Sequence, residues 1–201
     1  VRDRLLPVEQ RYRSFGSCVQ FSCPIGFEAT WSYLQSVTGR PWRDPMFLLP
    51  ALGILEQERA LRMAEEVAYA NLRRTEKAAG RRTPTFGCTT PTWPQRWHGD
   101  ERAGATHALR VWRRRNPGGG PFGDRRWALV LAAVDSLLAG APHVDTKALQ
   151  RCLDWARRLH RTSAVGSADS RVAFELEPVL GQLQVHQRGA VVVNTPWGFT
   201  R

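Results

Sequence analysis

DRRWALVLAAVDSLLAGAPHVDTKALQRCLDWARRLHR, residues 124–161, is the stretch whose reading decides the fold. Asp124 stands where a helix N-cap belongs. Trp127, Val130, Leu131, Val134, Leu137 and Leu138 then recur at three- and four-residue spacings, which puts them on one helical face. Gly140 ends that helix and Pro142 follows where it can no longer break it. Asp145 caps a second helix with Leu149, Cys152, Leu153, Ala156 and Leu159 on its apolar side. The spacing predicts a helical hairpin. Arg151, Arg158 and Arg161 lie opposite the apolar stripe, facing water or an anionic partner.

Working outward, the fold expected is mainly α with little β. FEATWSYLQSV, residues 27–37, has Phe27, Trp31 and Leu34 at helical spacing before Gly39 and Pro41. Residues 51–79 are nearly all strong helix formers and form the longest predicted helix. Ile54, Leu61, Ala64, Ala68 and Leu72 lie along one side of it for helix-to-helix packing, and Glu58 and Arg62 are spaced as an ion pair. Residues 103–115 form a shorter helix, and residues 172–185 another, broken near Pro178. Residues 18–21 and 190–193 are short β-like runs. GRRTPTFGCTTPTWPQRWHGDER, residues 80–102, has no apolar period. Its Trp93 and Trp97 suggest a segment draped over a partner that covers them. NPGGGPFG, residues 116–123, reads as a hinge between regions 1–115 and 124–201, which otherwise form a single domain.

The chain of 201 residues can bury about 70% of the surface its unfolded form would expose. No apolar run approaches the roughly 18 residues of a membrane span. The formal charge is +11, carried by 27 Arg and 2 Lys. Arg presents a planar fork that pairs phosphate bidentately and stacks on bases, so the balance points to a polyanionic partner. The nucleic-acid contacts expected are Arg81, Arg82, Arg96, Arg110, Arg113, Arg114, Arg115, Arg125, Arg126, Arg151, Arg158 and Arg161, with Trp93, Trp97 and Trp112 near them. Trp127 is expected in the hairpin core.

Cys18, Cys23, Cys88 and Cys152 are too few for a disulfide framework. Cys18, Cys23, Cys88 and His98 are soft ligands from which a zinc tetrahedron could be drawn, although their spacing matches no ribbon or finger. Paired carboxylates for acid–base work are not evident: Glu65 and Glu66 read as a helix face, Asp100 and Glu101 as a loop cluster. Residues 16–22, GSCVQFS, leading into a helix, resemble the nucleophile context of papain-like cysteine proteases. That resemblance implies Cys18 as a nucleophile at a helix start, with His107, His143 or His186 as base and Asn194 as its orienting partner. Val19 stands where that family carries Trp, and Pro24 interrupts the expected helix start.

The reading that uses most of the chain is a basic, non-catalytic subunit of a large RNA-containing assembly such as an organellar ribosome. RNA or other subunits are its partners, with no cofactor, no homo-oligomer and a mitochondrial location after loss of a transit peptide. The alternatives are an accessory subunit of an organellar membrane complex, and the cysteine hydrolase.

Overall fold

The computed structural model describes residues 1–81, 96–118, 120, 123–141, 144–162 and 167–188. Residues Arg82, Cys88, Trp93, Pro142, His143, Asn194 and the run 190–193, together with the Arg161 side chain, lie outside what it describes. The described chain is mainly α. Its helices are α1 (Val8–Phe21), α2 (Phe27–Thr38), α3 (Leu48–Ala78, entered through a single 3-10 turn, Pro45–Phe47), α4 (Glu101–Arg115), α5 (Arg125–Leu138), α6 (Thr146–Thr162) and α7 (Ala168–Arg188). No described helix is long and apolar enough to cross a membrane.

The hairpin forms as its local signals dictate. The Asp124 carboxylate accepts the Arg126 backbone N–H at 2.8 Å, and Asp145 accepts that of Ala148 at 2.9 Å. Gly140 terminates α5 at φ 84°. The Arg126 guanidinium, at the start of α5, lies 3.5 Å over the ring of Trp155 near the end of α6, so the two helices run antiparallel. Their apolar faces do not suffice for one another. α7 packs against α6 along its length, with Gln184 donating to Gln150 at 2.6 Å, and also against α4 and α5. Trp127, Val130, Val134, Leu137, Leu149, Cys152 and Leu153 meet Val172, Leu176, Val179, Leu180 and Leu183 in one core. Gly120 closes over Trp127 so tightly that a Cβ there would lie 2.0 Å from the indole Cγ.

A second core gathers Phe15, Val19, Ile25, Tyr33, Leu34, Phe47, Leu48, Leu52, Leu55, Trp97 and Val111. α4 serves both cores, turning Leu109 to one and Val111 to the other, and packs on α2, α5 and α7.

Several expectations are corrected. Residues 18–21 are not β-like but the last turn of α1. Tyr12, Phe15 and Val19 are at helical spacing, and burying Phe15 and Val19 completely outweighs the cost of about 1 kcal/mol for Gly16 inside a helix. α7 runs unbroken through Pro178. Pro178 sits on the exposed face of the helix, while Leu176, Val179 and Leu180 hold the other face in the core. Glu101 and Arg102 are the first turn of α4, capped by Asp100, rather than irregular chain.

The stripe expected along the long helix is used only in part. Ile54 is packed, but Leu61 and Leu72 are 49% and 43% exposed, and Ala64 and Ala68 are exposed as well. At 1.5 Å per residue α3 is about 46 Å long, and most of its second half is exposed among the described residues. Glu58 does not pair with Arg62, which donates to Glu66 at 3.0 Å instead. Trp97 is 2% exposed and stacks on Tyr33 at 4.0 Å, so it is covered by its own chain and awaits no partner.

Candidate nucleic-acid interface

The arginines marked by sequence fall into two groups. Arg96, Arg113, Arg115 and Arg126 are engaged within the chain. Arg96 bridges Glu65 of α3 and Glu101 of α4 with only 19% of its side chain exposed. Arg113 donates to Asp135 at 2.6 Å and to the Asn116 carbonyl at 2.8 Å. Arg115 donates to Glu28 at 2.5 Å across the α4–α2 contact. Arg126 reaches Asp124 and, at 3.2 Å, Asp169, while lying on Trp155. Hydrogen bonding to this guanidinium holds Asp124 below the ordinary carboxylate range and Arg126 above its own. These four link separate helices or pin a cap.

Arg110 and Arg114 form the second group together with Arg81, Arg125 and Arg151. All five are exposed, and their side chains make no hydrogen bond or ion pair to a described residue. Arg110 and Arg114 stand one turn apart on α4, so their forks share a face. Arg158 is exposed on α6 and engaged.

The zinc set is not assembled by the described residues. Cys23 donates its thiol to the Gln20 carbonyl at 3.4 Å, and His98 is held on both sides of its ring. Its Nδ1 is 3.0 Å from Glu58 Oε1 and its Nε2 is 2.7 Å from Glu65 Oε2. No group of His, Cys, Asp and Glu suited to a metal ion occurs among the described residues. Buried Glu58 and half-buried His98, Glu65, Arg96 and Glu101 instead form a charge network that sequence reading missed, because its contacts span up to 40 residues. Its work is to clamp residues 96–101 onto α3.

The described residues do not assemble the geometry implied by the protease resemblance, of which His143 and Asn194 lie outside them. Cys18 is exposed in the closing turn of α1, the opposite end of a helix from the one a nucleophile of that type occupies. His107 belongs to a different contact, sharing a 2.9 Å hydrogen bond with Ser32 on α2.

Burial pushes both His107 and His186 below the ordinary imidazole range, with Arg110 adding to the shift of the first and Arg102 to that of the second. Asp100 opposes it at His107, whose other neighbours are Ser32 and Tyr33 of α2. The folded chain therefore binds fewer protons here than the unfolded chain. The stability contributed is full above the unfolded value, about 6.5, and is lost as pH falls through the lowered folded values. The urea midpoint is expected to drop between pH 7.5 and 5.5, and the double variant His107→Gln/His186→Gln to flatten that dependence. A wild-type slope retained by the double variant would contradict this account.

Comparison of the chain with protein-family models, curated proteins and solved structures returns no match.

Proposed function

We propose that this chain is a basic, non-catalytic subunit of an RNA-containing assembly, with the exposed face of α4 as its phosphate contact. The observation that carries the reading is the pair Arg110 and Arg114, exposed one turn apart and without an acidic partner among the described residues, in a chain of formal charge +11. An arginine already satisfied by a carboxylate must give up that bond to take a phosphate. A free fork loses only water and counterions. Arg125 and Arg151 are exposed on the same terms and extend the basic surface to α5 and α6. The engaged group, Arg96, Arg113, Arg115 and Arg126, supports the fold that presents the free one.

The salt dependence of RNA binding tests the reading. Each phosphate contact to a single strand contributes about 0.7 to the slope of log affinity against log salt. Arg110→Ala and Arg114→Ala are each expected to remove about that much, uniformly across sequences. Arg96→Ala is expected to leave the slope unchanged while lowering thermal stability. Binding that is insensitive to salt, or slopes unaltered in both α4 variants, would reject α4 as the phosphate contact.

A further inference from the structure

We infer that an aromatic ridge on the N-terminal half of the molecule, formed by Phe27, Trp31 and Trp42 with Arg43, is a stacking platform for the unpaired bases of a single-stranded RNA. The inference rests on the RNA-contact reading above and gives it a substrate class. Phe27 is 47% exposed and Trp42 45%. Trp31 stands between them, its ring centroid 6.2 Å from Phe27 and 6.4 Å from Trp42, both edge to face. Tyr12 continues the row 6.1 Å from Trp42.

The ridge is fixed from below. Trp31 stacks on Phe47 at 5.9 Å and meets Phe15 edge-on at 5.2 Å, and both of those rings are fully buried. Tyr12 donates its hydroxyl to the Asp44 carbonyl at 2.6 Å, which ties α1 to the loop carrying Trp42. Large aromatic surface left half in water on a rigid base is expensive for a chain that has two well-filled cores available.

Charge selects the occupant. The Arg43 guanidinium lies 4.6 Å over the Trp42 ring, exposed, with no carboxylate partner among the described residues. The acids beside the ridge are each already taken by an arginine, Asp44 by Arg40 at 2.9 Å and Glu28 by Arg115 at 2.5 Å. An apolar helix of another protein would gain nothing from this cation. A nucleotide uses both parts: the base stacks on ring or guanidinium plane, and the phosphate takes the fork. The ridge also adjoins the proposed phosphate contact, because Arg115, next to Arg114 at the end of α4, reaches Glu28 in the first turn of α2, beside Phe27.

The test measures anisotropy of labelled RNA 12-mers, single-stranded and duplex, against the full chain. Wild type is expected to prefer the single strand. Trp42→Leu, which keeps apolar bulk but lacks a π face, and Phe27→Ala should each weaken single-strand binding about tenfold, the size of one lost stack, and leave duplex binding unchanged. Trp42→Phe should restore most of the loss, and circular dichroism should be wild-type in all three. Leucine as good as tryptophan would identify an apolar docking face for protein and overturn the inference. Equal losses on both RNAs would overturn it too, while leaving the phosphate reading intact. Wild type that binds neither RNA would reject both readings together. A ridge effect without any change of salt slope in the α4 variants would keep the platform and reject α4.

Discussion

His98→Ala is expected to lower the unfolding free energy by about 3–5 kcal/mol, because it strands a buried carboxylate. Glu58 is 1% exposed, one of its oxygens is 3.0 Å from His98 Nδ1, and the other has no hydrogen-bond partner among the described residues. For a chain of this size the loss corresponds to roughly 10 °C in Tm. Exposed pairs set the contrast: removing Arg2 from Glu56, where the side chains are 69% and 49% exposed, should cost no more than about 1 kcal/mol. The double variant Glu58→Leu/His98→Leu should be more stable than His98→Ala alone, since it leaves no charge at the Glu58 position to desolvate. A His98→Ala loss no larger than that of Arg2→Ala would show that water reaches Glu58.

Trp97→Ala is the second large effect, also about 3–5 kcal/mol, through the cavity it opens between Tyr33 and α4. The indole is 2% exposed, and the α4 backbone approaches so closely that a Cβ on Gly104 would lie 2.5 Å from the Trp97 Cβ. Gly104→Ala alone should therefore destabilise by about 1–3 kcal/mol, although alanine is the better helix former. The clashing atom is the Trp97 Cβ, which alanine keeps, so the two changes should be non-additive only through relaxation of the segment once the indole is gone. A double-mutant cycle in urea measures this coupling, and additivity within about 0.5 kcal/mol would show that the segment does not relax.

The charge network and the Trp97 contact were both illegible in sequence for the same reason. His98 meets Glu58 across 40 residues, and Arg96 meets Glu65 across 31. Nothing local announces such pairs, and the local alternatives misled: Glu58 and Arg62 have the right helical spacing, yet Glu58 turns inward and Arg62 pairs with Glu66. The same holds for the candidate interface. Twelve arginines looked equivalent as a basic surface. Those that fold back do so onto acids such as Asp135 and Glu28, 22 and 87 residues away, and the ones left for a ligand emerge only by subtraction. Nothing local marks Trp42, because Gly39, Pro41 and Pro45 set the chemistry around it and its aromatic neighbours Trp31 and Tyr12 belong to α2 and α1.

What the sequence determined by itself is the hairpin of α5 and α6 with its caps, and the existence of α2, α3, α4 and α7. Caps such as Asp124 and Asp145 act over two or three residues, and the apolar period of α5 and α6 closes within a few turns, so the information is local. Even where α1 was misread, the spacing of Tyr12, Phe15 and Val19 was there to be used. What only the tertiary structure decided is which faces find a neighbour. Periodicity marks a stripe on α3 but not that its fully buried positions end at Glu58, and it marks the hairpin but not that α7 completes its core. Burial and charge pairing are properties of two surfaces in contact, and each helix carries only one of them.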